Sequence, residues 1–197
     1  MPMRKMVTLI VIVFAILFGI IKGTTHAFEL ENEWGGIDIH GFISQGFLES
    51  ERNNFYADTK DGTFQFNEFG INFSTELTDR LHVGMQFLSR DLGDIGNNKI
   101  EIDWAYADYR RKDWLGIRAG LIKFPWGIYN ETRDLDMLRT SIFLPPSLYA
   151  EEERDAYTSM QGIDIYGSFS LKRLGSFNYQ FQYGDKHIAP DGGLARG

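Results

Sequence analysis

Charged side chains recur at alternate positions within otherwise apolar stretches. Arg90 follows Leu81, Val83, Met85 and Phe87, Glu101 and Asp103 sit among Ile100, Ile102 and Trp104, Arg118 lies between Ile117 and Ala119, and Asp164 between Ile163 and Ile165. A second concentration falls in residues 125–159, with Glu131, Arg133, Asp134, Asp136 and Arg139 first and Glu151, Glu152, Glu153, Arg154 and Asp155 later, so that acids outnumber arginines seven to three. Grouped charges act on ions through local field and by replacing hydration. Arg90, Glu101, Asp103, Arg118, Arg133, Asp134, Asp136 and Arg139 are therefore the candidate solute-selecting residues. The acid excess of the long segment favours cations, while Arg90 and Arg118, with Lys123 near the rim, offer a cationic wall opposite it.

Other chemistry finds less support. Glu101 and Asp103 lie about 7 Å apart on one strand face at ~3.4 Å per residue, but nothing nearby supplies a nucleophile or base, and no catalytic residue is assigned. Asp91, Asp94, Asn97 and Asn98 surround Gly93 and Gly96 without the twelve-residue spacing and terminal Glu of an EF-hand, which reads as an ordinary turn. His40, His82 and His187 show no metal-ligand spacing. Cysteine is absent, which removes disulfides and thiolate chemistry. No metal or cofactor is expected, and the formal charge of -7 argues against nucleic acid, whose phosphates need a basic face.

These charges need elements to position them, and the first 27 residues concern export. Arg4 and Lys5 precede an apolar run from Met6 to Ile21, and Thr25-His26-Ala27 follows, the layout of a cleaved secretory signal peptide. The run is shorter than the ~20 residues a spanning helix needs. Cleavage after Ala27 removes three basic residues and no acid, leaving the remainder more acidic than the whole chain.

Residues 28–197 read as all-β. Phe177, Tyr179, Phe181 and Tyr183 alternate with Ser176, Asn178, Gln180 and Gln182, and comparable alternation occupies 81–90, 100–107, 115–121 and 163–171. In the second of these Ile100, Ile102, Trp104 and Tyr106 are expected on one face, with Glu101, Asp103, Ala105 and Ala107 on the other. Residues 37–48 alternate loosely, and 63–77 change phase at Asn67-Glu68, as at a bulge or a loop edge. About seven strands result, one face apolar and the other charged and small. A soluble sandwich also alternates, but here the connections alternate too. Short turns at Thr78-Asp79, Lys112-Asp113 and Lys172 to Leu174 contrast with long segments at 49–62, 92–98 and 125–159. Short periplasmic turns and long outer loops give that parity, and Trp104, Tyr109, Trp114, Trp126 and Tyr183 suit interfacial girdles. The expected fold is an antiparallel transmembrane β-barrel, with 125–159 as the constriction loop of the third outer connection.

Glu68-Phe69-Gly70-Ile71-Asn72-Phe73, Arg90-Asp91-Leu92-Gly93-Asp94, Asp103-Trp104-Ala105-Tyr106, Arg118-Ala119-Gly120-Leu121-Ile122-Lys123 and Tyr129-Asn130-Glu131-Thr132-Arg133-Asp134 together resemble a family of Gram-negative outer-membrane porins, distantly similar to the phosphate-selective porins. The resemblance covers roughly residues 38 to 170. It implies a homotrimeric channel for small hydrophilic solutes, set among outer-membrane lipid and lipopolysaccharide, and an anion preference opposed to the charge of the long loop. The chain departs from the family in the glycine-rich stretch Asp191 to Gly197, where an aromatic-ended strand is expected. Wide aqueous barrels need about 16 to 18 strands and an even count, so the strands are expected to be the N-terminal part of a larger barrel. A passive diffusion channel is the expected function and catalysis is not. The alternative is a barrel scaffold or receptor that holds a periplasmic or external partner.

Overall fold

The computed structural model describes residues 28–30, 36–135 and 138–186. The signal peptide expected at 1–27, the side chain of Asp136, His187 and the stretch from Asp191 lie outside these residues.

One antiparallel sheet organises the chain, each strand pairing with the next in sequence. Its seven long strands are β2 (Ile37–Gln45), β3 (Asn67–Thr78), β4 (Leu81–Asp91), β5 (Ile100–Lys112), β6 (Leu115–Lys123), β7 (Ser159–Ser170) and β8 (Ser176–Asp185). A three-residue strand, β1 (Phe28–Leu30), adds to the edge of β2. Among the described residues β8 pairs only with β7, so the sheet is open and the expected barrel closure is not part of it.

Register explains the alternation. Glu68 faces Arg90, Asn72 faces Gln86 and Glu76 faces His82 across β3 and β4, while Ile71 faces Phe87 and Phe73 faces Met85 on the opposite side. Arg118 faces both Asp108 and Asp164, and Gln182 also faces Asp164. Ile163 with Tyr183, Ile165 with Phe181 and Phe169 with Phe177 lie on the apolar side. The side-chain period of two keeps the two sets apart wherever the register is unbroken.

The turns follow the expected parity within a residue or so. Asp79-Arg80 joins β3 to β4, and the Thr78 hydroxyl accepts hydrogen bonds from the amides of Arg80 and Leu81. Asp113-Trp114 joins β5 to β6, and residues 171–175 join β7 to β8, with Lys172 and Gly175 in the left-handed region. At the other end run the long connections 46–66, 92–99 and 124–158. The phase change at Asn67-Glu68 coincides with the start of β3, so it is the loop edge and no bulge is present there.

One expected face assignment is wrong. Between β4 and β5 the register shifts at Gln86/Phe87: Trp104 pairs with Gln86 and Ile102 with Phe87, leaving Asp103 as an extra residue. A bulge moves every later residue by one position. Trp104 and Tyr106 therefore join the polar face, and Ala105 and Ala107 the apolar one. The Trp104 ring lies beside Gly84, which shares a face with Gln86.

Burial is inverted relative to a soluble sandwich. Among the described residues, the buried apolar side chains include Leu88, Leu92, Ile122, Leu144, Tyr149, Ala156 and Met160, near the long-loop end of the sheet. The apolar face itself is open, with Ile43 80%, Ile100 71% and Phe181 69% exposed.

Candidate functional site

The connection 124–158 packs against the charged end of the polar face. Its two ends are joined by the Phe124 amide donating to Thr158 O at 2.8 Å. Asn130, almost fully buried, fastens the same place, its side-chain amide donating to Phe124 O at 2.6 Å and Tyr157 O at 2.8 Å. The Tyr149 hydroxyl accepts from the amides of Ile128 and Tyr129. Phe143 inserts among Phe55, Tyr56 and Phe66 of the connection 46–66, so the two loops share an aromatic contact.

A closed set of four charges fixes the loop to the strands. Lys123, at the end of β6, reaches Asp103 at 2.6 Å and Asp134 at 2.5 Å. Arg154 opens the short helix α1 (Arg154–Tyr157) and reaches the same two carboxylates at 3.0 and 2.5 Å. Gln86 adds a hydrogen bond to Asp103 at 2.9 Å. All four ions are buried, and two cations against two anions leave no net charge. Burial alone pushes the Asp134 carboxyl up, but Arg154 and Lys123 outweigh it and hold the group well below the usual carboxylate range. Burial lowers and the facing carboxylates raise Arg154, with the net effect strongly upward.

Glu151 centres a second group. It is paired with Arg90 of β4 and, at 2.7 Å, with Arg133. Burial raises its carboxyl, and the positive charges of Arg90, Arg133 and Arg154 overcome that and bring it to about 2. Arg133 also approaches Asn130 Oδ1 at 3.3 Å and the Tyr149 ring at 5.9 Å.

A third group lies toward the short-turn end and joins strands only. Arg118 pairs with Asp108 at 3.3 Å and Asp164 at 3.4 Å. Its guanidinium lies between the rings of Tyr106 and Tyr166, 4.8 and 4.9 Å from their centroids. The Tyr166 hydroxyl donates to Asp108 at 2.6 Å and Gln180 donates to Asp164 at 2.9 Å.

The sequence-predicted residues thus divide. Arg90, Asp103, Arg133 and Asp134 converge where the loop docks. Arg118 belongs to the strand group, Glu101 forms a solvent-facing pair with Lys99 at 2.8 Å, and Arg139 donates to Ile142 O within its own loop. Asp136 lies outside the described residues. Asp91 supports its turn, accepting from the Gly93 amide and the Asn98 side chain.

The sequence shows Glu151 and Arg154 among the loop charges, Lys123 beside the cationic wall and Tyr166 in an alternating strand, without the partners that make them a site; Asn130 as a site residue and Asp108 altogether were passed over. Their signal was available only in part. Asp108 and Arg118 flank a short turn, but a register shift between Arg110 and Lys112 is what sets them opposite each other, and Asp103 and Arg154 are 51 residues apart.

Comparison with family models, with curated proteins and with solved structures gives no match to this chain.

Proposed function

We propose that this chain forms part of an outer-membrane β-barrel that works as a passive diffusion channel, its apolar face in lipid and its polar face on water. The observation that carries the reading is the inverted sheet. The apolar face is bare while the polar face receives a packed loop. Ile43, Ile100, Ile102, Ile117, Ile163, Ile165, Phe169, Phe177, Phe181 and Tyr183 are each at least two-fifths exposed. Side chains of this size sum to on the order of 1,000 Å², against ~300–600 Å² for the largest patch on an ordinary soluble monomer. Lipid offers that face a solvent.

Strand length and parity support the same reading. The long strands run from 9 to 13 residues, near the ~9–11 needed to cross a bilayer at a tilt, and short turns occupy one end throughout. An open edge in lipid leaves backbone groups unsatisfied at several kcal/mol each. The channel therefore requires further strands, from the same or another chain, against β8 and the β1–β2 edge. The loop 124–158, clamped by paired charges, narrows the aqueous side as a fixed wall.

Conductance of the full chain in planar bilayers tests this. Stepwise, ohmic current is the expected result, and protein demonstrably in the bilayer without current would refute the channel.

A further inference from the structure

We propose that the polar face carries a stacking subsite for a neutral, polyhydroxylated solute of the sugar class, with Trp104 as its platform; this rests on the reading of that face as water-exposed. Three aromatic rings on this face lie across glycines of neighbouring strands. A Cβ added to Gly70 would meet the Phe42 ring at 2.3 Å, one on Gly84 the Trp104 ring at 3.0 Å, and one on Gly116 the Tyr166 ring at 2.4 Å. A ring held against a glycine leans along the sheet and presents a face to the space above it, where an upright side chain would present its edge.

Trp104 ends a stack. Its ring is 5.2 Å from that of Tyr106 with a tilt of 32°, Tyr106 is covered by Arg118, and Arg118 by Tyr166. Among the described residues no further ring or cation covers Trp104, which is only half-buried. An aromatic face attracts the weakly positive C–H face of a sugar ring, by the same quadrupole that draws cations and aromatic edges. Half-buried Asn72, two strands away across Gln86 and on the same face, supplies an amide for hydroxyl groups.

The charges favour a neutral ligand over an anion. Arg90, Arg118, Lys123, Arg133 and Arg154 each already hold a carboxylate, so an arriving phosphate would have to displace one. A sugar displaces none and meets aromatic surface with a few polar groups, the usual make-up of a small-molecule site.

The test is a titration of the full chain in vesicles and planar bilayers with a linear glucose trisaccharide and, separately, inorganic phosphate. Tryptophan fluorescence and channel current are both read. Saturable current block and a fluorescence change with the trisaccharide are expected at millimolar concentration. Trp104→Ala should raise the half-saturating concentration about tenfold, the equivalent of ~1.4 kcal/mol, and be rescued by Trp104→Phe. A protein that conducts but shows neither response to the trisaccharide, or one whose response survives Trp104→Ala, overturns the subsite while the channel stands. A Trp104-dependent fluorescence response in a protein that carries no current supports the subsite and removes the channel.

Discussion

Of the three ionic groups on the polar face, two differ most in what they leave exposed. Asp103, Lys123, Asp134 and Arg154 form a buried, balanced square that joins strands to loop. Asp108, Arg118 and Asp164 join strand to strand, with the Arg118 side chain 21% exposed. Buried ions gain from pairing but lose hydration, so such a square contributes little net stability while its disruption costs much. Together with the Arg90–Glu151 pair it sets where the loop docks on the strands. The half-open group keeps its arginine between two tyrosine rings in contact with water, which makes it wall rather than anchor.

Breaking the square gives the largest effect. Arg154→Ala leaves Asp103 and Asp134 buried with Lys123 alone, and loop docking should weaken by ~3–5 kcal/mol, read as faster proteolysis and amide exchange across 124–158 with the strands still protected. Acid acts on the neighbouring group. The Glu151 carboxyl is depressed from 4.5 to about 2, so its contribution is complete above the unfolded value and is lost as pH falls from ~4.5 to ~2, about 3 kcal/mol in all by proton linkage. Loop protection, taken relative to the intrinsic exchange rate at each pH, should be flat above pH 5 and fall below it, and Glu151→Gln should abolish that dependence.

Smaller changes sharpen the contrast. Asn130→Ala leaves the Phe124 and Tyr157 carbonyls without their side-chain donor, a loss of ~1–3 kcal/mol seen in the same exchange experiment. Arg118→Gln should cost about 1 kcal/mol in denaturant unfolding, since its partners keep Gln180 and Tyr166 and the site is partly solvated. Glu101→Gln breaks a surface pair with side chains 69% and 46% exposed and should change stability by no more than ~0.5 kcal/mol.

The strands and turns of the open sheet were largely legible because strand faces and turn lengths are local properties, whereas closure into a barrel is not part of the described sheet. Ser176 to Tyr183 alternates without a break, and β8 occupies that segment. The misplaced Trp104 and Tyr106 show the limit. A bulge inserts one residue without changing composition, so period-two reading carries straight through Asp103, and two large aromatics look like lipid-facing residues. The eight candidate charges were visible as charges, but their partners were not. Asp103 meets Arg154, and Arg90 meets Glu151 61 residues later, contacts that depend on how a long loop folds back. The excess of acid over arginine in 125–159 suggested an open cationic preference, whereas Asp134 and Glu151 are satisfied by strand and loop cations.

The central claim is that the bare apolar face lies in lipid and the other on water, and the absence of cysteine makes it directly testable by single-cysteine scanning along β7 in vesicles. Cysteines at positions 163 and 165 should resist a membrane-impermeant thiol reagent and, when labelled before insertion, be quenched by brominated lipid. Cysteines at 166 and 168 should react with the aqueous reagent and escape that quenching. Equal aqueous reactivity at all four positions, or quenching at 166 and 168, would contradict the account.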